Sequence, residues 1–137
     1  MCKMNKIYIS WKDIDDAIDS LAYNIKSSGL EIKSICGMVR GGLIPAVMLS
    51  HKLGIKYSHI LIPKISGNTL LVDDICDSGN TLANFKHDTR IITAAIHYKQ
   101  SAIIEPNFWY SLVKEGDWIV YPWERKDSET IQDYKTK

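Results

Sequence analysis

The stretch Leu70-Leu71-Val72-Asp73-Asp74-Ile75-Cys76-Asp77-Ser78-Gly79-Asn80-Thr81 decides how the rest of the chain is read. A short, fully apolar strand delivers two adjacent carboxylates to its tip. A loop over 75–80 follows, with a third carboxylate, a hydroxyl and a glycine, and it opens a helix expected over 81–86. Free backbone N–H groups and the positive dipole end of such a helix suit a phosphate. The carboxylates suit sugar hydroxyls or a hydrated Mg2+. One loop can thus hold a phosphorylated sugar at both ends. The plainer reading is a turn with a helix cap. The buried-type strand weighs against it, because idle carboxylates at its end would be desolvated at a cost. Asp73, Asp74 and Asp77 also fit the Asp-Asp-x-x-Asp diphosphate motif of prenyl-transferring enzymes. Those are large helical bundles, whereas here the motif follows a strand in a short chain.

Upstream, Met38-Val39-Arg40-Gly41-Gly42-Leu43-Ile44-Pro45 ends another strand, read over 34–39, in a cation and two glycines. Glycine lets backbone N–H groups approach an anion closely, and Arg40 adds a fixed positive charge. Alone this is a tight strand–helix turn; beside the acidic loop it becomes specific. Its helix has Pro45 near the start, runs to Leu53 and stops at Gly54. An earlier helix is capped by Ser10 with Asp13 as box partner. Ile14, Ala17, Ile18, Leu21, Ala22 and Ile25 form its apolar face at helical spacing, and Gly29 ends it. Further strands are expected over 7–9, 55–62, 90–97 and 117–121. Strand, turn and helix in alternation predict an α/β domain around a mostly parallel sheet. Such sheets bind ligands at the carboxyl ends of their strands, where 40–42 and 73–81 fall.

The 137 residues amount to one domain of ordinary globular composition, 45% hydrophobic and 24% charged. Seventeen basic and 16 acidic residues leave a net charge of +1, which gives no electrostatic footprint for nucleic acid or anionic lipid. No apolar run is long enough to span a membrane, and the first residues lack the apolar core of a signal peptide. Cys2, Cys36 and Cys76 form neither a CxxC pair nor an even framework, which reads as a reducing, cytoplasmic setting. The histidines at 51, 59, 87 and 97 show no metal-ligand spacing and read as packed or surface residues. No Gly-x-Gly-x-x-Gly follows the first strand, against a dinucleotide-binding domain. Three of the four tryptophans lie in the last third, and 124–137 reads as a charged tail.

Val72–Thr81 resembles the loop with which type I phosphoribosyltransferases bind phosphoribosyl pyrophosphate (PRPP), and Val39-Arg40-Gly41-Gly42 resembles their pyrophosphate loop. Within the family, the bacterial xanthine-guanine enzymes are most alike. Ser10-Trp11, 39–45 with Leu53-Gly54-Ile55, 73–81, and Trp118-Ile119 with Pro122-Trp123-Glu124 carry the likeness, in order, from Tyr8 to Glu124. It implies a central, mostly parallel sheet flanked by helices in one domain over 1–124, with a small hood from about 100–124 and a tail over 125–137. It also implies a homodimer or homotetramer, and Mg2+-assisted transfer of ribose 5-phosphate from PRPP to a 6-oxopurine. Asp73 and Asp74 would hold the ribose hydroxyls, with Asp74 also facing the metal. Arg40 and Gly41 would meet pyrophosphate, across a cis peptide between Val39 and Arg40. Asp77 would be the base near the purine N7. Ser78, Gly79, Asn80 and Thr81 would cradle the 5′-phosphate. Lys99 would reach the purine oxygen, Trp118 would stack on the base, and the Ile119 carbonyl would read its exocyclic edge. Glu124 stands where the family has an acidic residue near pyrophosphate and metal. Ser78 and Asn80 replace the family's usual threonine and glycine, and Lys99 lacks the small-residue loop that normally follows it.

The family's mobile lid would fall in Pro63-Lys64-Ile65-Ser66-Gly67-Asn68. Six residues span at most ~20 Å, about one strand length, so the sequence leaves no slack for a lid. A non-catalytic sensor of PRPP or a nucleotide is the alternative reading.

Overall fold

The computed structural model describes residues 5–58 and 68–124. The elements run β1 (Asn5–Tyr8), α1 (Trp11–Ser27), β2 (Ile32–Gly37), α2 (Leu43–Leu53), β3 (Asn68–Cys76), α3 (Asn80–Ala83), β4 (Ile91–Tyr98), β5 (Phe108–Leu112) and β6 (Asp117–Val120). Four strands form a fully parallel sheet in the order β2-β3-β4-β5. β1 and β6 pair in parallel as a separate two-stranded sheet. No helix among the described residues is long and apolar enough to cross a membrane.

The elements form for local reasons. Ser10 accepts from the Asp13 N–H while the Asp13 side chain accepts from the Ser10 N–H, closing the capping box. The six apolar positions expected on the inner face of α1 are all buried. Gly54 ends α2 in the left-handed conformation. β3 and β4 are buried on both faces, as central parallel strands are. Ile14, Leu21, Ile35, Leu49, Leu70, Val72 and Ile96 pack α1 and α2 against the sheet.

Four expectations need correction. The loop expected from residue 75 is strand as far as Cys76, because β4 runs alongside with Ile75 and Cys76 in register with His97 and Tyr98. The helix expected over 81–86 is four residues long; after it Phe85 N donates to Leu82 O and Lys86 N to Ala83 O, turn bonds that end the helix. Of the strand expected over 55–62, the described part is only a bridge of Tyr57 to Ile35; the rest lies outside the described residues. β5 was not expected. Most of the 63–68 segment, read as too short for the family's lid, Pro63 and Lys64 included, and the tail over 125–137 also lie outside the described residues.

Candidate active site

Parallel register explains why the two sequence motifs meet. Gly37, the last residue of β2, pairs with Val72 of β3. The chain leaving β2 stays on β3, because Met38 N donates to Val72 O at 2.8 Å. β3 continues past this point, so Asp73 and Asp74 run alongside the 39–42 turn. The approach is close enough to require glycine. A Cβ on Gly41 would sit 1.8 Å from Asp74 Oδ2, and one on Gly42 2.3 Å from the Val72 carbonyl oxygen. The Val39–Arg40 peptide is cis, as the resemblance implied.

The next pair in register builds the other side. Cys76 pairs with Tyr98, so Asp77 and Lys99, one residue on, leave the sheet together. Lys99 Nζ lies 3.0 Å from Asp77 Oδ1, both groups largely shielded from solvent. Lys99 N donates to Cys76 O. Gly79 adopts φ 84°, a left-handed conformation that turns the chain into α3. Ser78 Oγ accepts from Asn80 N at 3.2 Å, and the Ser78 carbonyl from Ile103 N at 2.8 Å. Asp73, Ile75, Cys76, Asp77, Ser78, Gly79, Thr81 and Leu82 line a cleft here. Asn80 is exposed at its rim.

The carboxylates are fixed by their own backbone. Asp73 Oδ1 accepts from Asp74 N at 2.8 Å, and Asp74 Oδ1 from Ile75 N at 2.7 Å. Glu124 joins them from the chain after β6. Burial raises its carboxyl above the usual range, a bond from Tyr121 N opposes this, and the charges of Asp74 and Arg40 act on it with opposite signs. Among the described residues, no three His, Cys, Asp or Glu side chains gather to cage a metal. A site for Mg2+ needs no such cage: it takes one or two carboxylates and completes its shell with water and substrate oxygens. Asp74 and Glu124 are hard oxygen donors of that kind.

The structure therefore brings together Arg40, Gly41, Asp73, Asp74, Asp77, Ser78, Gly79, Thr81, Lys99 and Glu124. Trp118 and Ile119 lie on β6, in register with Lys6 and Ile7 of β1; Trp118 is half-buried and the Ile119 side chain packs into the core.

No protein-family model matches the chain. It is 27% identical over 143 residues to a xanthine-guanine phosphoribosyltransferase of Cereibacter sphaeroides, covering 85% of this chain and 86% of that one. Among solved structures, a purine phosphoribosyltransferase from Pyrococcus horikoshii is 30% identical, with a TM-score of 0.74 over 93% of this chain and 99% of that one. The chain belongs to the purine phosphoribosyltransferase family. A hypothetical protein from Neisseria gonorrhoeae, solved with bound ppGpp, is also similar, 26% identical with a TM-score of 0.72 over 90% of this chain and 92% of that one.

In this purine phosphoribosyltransferase chain, two residues near the acidic loop had no sequence signal. Tyr121 is wholly buried behind the loop, and its hydroxyl donates to the Asp74 carbonyl at 3.0 Å. His97 Nδ1 lies 2.8 Å from the same hydroxyl. Burial holds the His97 imidazole down at about 4 and pushes the Tyr121 phenol up. A histidine ending an apolar strand reads as packed, and only the fold reveals its partner.

Proposed function

We propose that this chain transfers the ribose 5-phosphate group of PRPP to a 6-oxopurine, releasing pyrophosphate, as a cytoplasmic purine salvage enzyme. One observation carries the reading: the Arg40–Gly42 turn after β2 lies against Asp73 and Asp74 of the neighbouring β3, with Gly41 so close to the Asp74 carboxylate that no side chain fits between them. A cation with a glycine turn, two carboxylates and a Ser-Gly-Asn-Thr loop are the parts needed to hold a pyrophosphate, ribose hydroxyls and a 5′-phosphate. The names carried by the similar proteins point the same way.

The reaction asks little covalent chemistry of the protein. The purine N9 displaces pyrophosphate at C1 of the sugar, so the chain must position, stabilise charge and exclude water. Asp73 and Asp74 hold the ribose hydroxyls. Arg40 and the Gly41 backbone receive the departing pyrophosphate. Ser78 to Thr81 take the 5′-phosphate. Asp77 accepts the purine proton near N7, and Lys99, its ion-pair partner at 3.0 Å, donates to the purine oxygen. Trp118 stacks on the base and the Ile119 carbonyl reads its exocyclic edge. Asp74 and Glu124 would hold Mg2+, which would supply charge neutralisation at the pyrophosphate.

The test is purified protein with PRPP, Mg2+ and guanine, xanthine or hypoxanthine in turn, followed by nucleotide formation. Turnover of at least one purine is expected. Asp77→Asn should lower kcat far more than PRPP affinity, since it removes a proton acceptor and leaves the phosphate cradle intact; equal losses would make Asp77 a binding residue. The ppGpp-bound Neisseria relative favours one second reading, a nucleotide sensor on the same fold. PRPP or nucleotide binding without turnover would select it.

A further inference from the structure

Tyr121 makes two bonds that the proposed chemistry does not yet use. Its hydroxyl donates to the backbone carbonyl of Asp74 at 3.0 Å. Its backbone N–H donates to Glu124 Oε1 at 2.9 Å. One residue thus holds the peptide that carries Asp74, on β3, and the carboxylate of Glu124, in the turn after β6. The hydroxyl has one proton, and Asp74 takes it. His97 Nδ1, at 2.8 Å, must then carry its own proton and donate to the phenol oxygen. A neutral imidazole in that tautomer directs the hydroxyl at Asp74. The ring itself is clamped. It stacks on Trp123 with centroids 4.8 Å apart and planes 1° from parallel, and Trp123 in turn meets Trp11 at 6.0 Å.

We propose that Tyr121 is a positioning residue that fixes Asp74 and Glu124 relative to one another, with His97 setting the direction of its hydroxyl, so that both carboxylates face Mg2+ and the pyrophosphate of PRPP. This rests on the phosphoribosyl-transfer reading. Partners that orient metal-facing carboxylates typically matter 10–100-fold in metal affinity.

The variant is Tyr121→Phe, which keeps the ring and its stacking and removes the hydroxyl. Two measurements are made on it and on the wild-type chain: calorimetric titration of Mg2+ into protein saturated with PRPP in the absence of purine, and the KM for the purine. A rise of ~10–100-fold in the Mg2+ dissociation constant with purine KM within about twofold supports the proposal. Unchanged Mg2+ affinity in folded Tyr121→Phe overturns it, and a lowered melting temperature alone would mean that the tyrosine is only structural. A measurement on wild-type protein covers a variant that does not fold. The His97 Nδ1 proton resonance should shift when Mg2+ is added to the PRPP-bound protein, and an unmoved resonance overturns the proposal. Wild-type protein that neither binds PRPP nor turns over would instead remove the underlying reading, and the role of Tyr121 with it.

Discussion

At the scale of single residues, the site depends on a missing Cβ. Gly41 is not in a left-handed conformation, so alanine meets no backbone penalty there. Its obstacle is the Asp74 carboxylate oxygen, 1.8 Å from the position the Cβ would take. Either the carboxylate or the turn must move by more than an ångström. Displacements of about 1 Å in a positioned group can cost on the order of 100-fold in rate. Gly41→Ala is therefore expected to lower kcat/KM by that order with little change in melting temperature. Wild-type kcat/KM in the variant would show that Asp74 does not work from its present position. His97 gives a second prediction, in stability. Burial lowers its pKa from 6.5 to about 4, the Asp13 charge opposing in part. The unfolded chain binds this proton first, so stability is highest above pH 6.5 and falls as pH drops towards 4. The shift corresponds to about 3 kcal/mol. Urea unfolding at pH 7 and pH 4.5 should show His97→Asn losing less stability than wild type between the two. Parallel losses would assign the acid sensitivity to other groups.

At the scale of elements, legibility followed the strength of the local signal. The α1 face was readable because a capping box marks its start and its six buried positions recur at helical spacing. The Asp73–Asp74 pair was legible because an apolar run gives way abruptly to charge, but the strand end was not, since pairing with β4 carries β3 on to Cys76. β5 was not, since Phe108–Leu112 is half-exposed and carries no buried alternation. What fixes it is a side chain just before it. Asn107 Oδ1 accepts from Thr93 N at 2.9 Å and from Thr93 Oγ1 at 3.0 Å, while Asn107 N donates back to Thr93 Oγ1 at 3.1 Å. That bracket ties the chain to β4 just before Ala94 and Phe108 come into register. Asn107→Ala would leave the buried Thr93 N–H without its acceptor, a loss of about 1–3 kcal/mol. Chemical denaturation should show it as a lower midpoint with an unchanged slope. A variant as stable as wild type would mean that the ladder alone sets the register. A side-chain bracket between residues 14 apart in sequence has no sequence period, so nothing local marks the strand.

At the scale of the molecule, the site is assembled from both sheets. The β2, β3 and β4 ends of the main sheet supply Arg40, Gly41, Asp73, Asp74, Asp77 and Lys99. The chain leaving β6 supplies Tyr121 and Glu124, and β6 pairs with β1. The N-terminal strand thus has a route to the carboxylates although its own side chains are exposed. Asn5 N donates to Gly116 O and Ile9 N to Val120 O, at the two ends of the β1–β6 pairing. Removing residues 1–8 deletes the ladder but leaves α1, its cap and the four-stranded sheet intact. β6 would then be held through Val120, Tyr121 and the core contact of Ile119. Circular dichroism is expected to show the truncated chain folded, while its Mg2+ requirement rises by ~10-fold or more, as for loss of a group that orients metal ligands. Full activity at wild-type Mg2+ would show that the Tyr121 bonds to Asp74 and His97 hold that end of the site without β1. Loss of all folding would make the small sheet part of the domain's stability rather than a support for its chemistry.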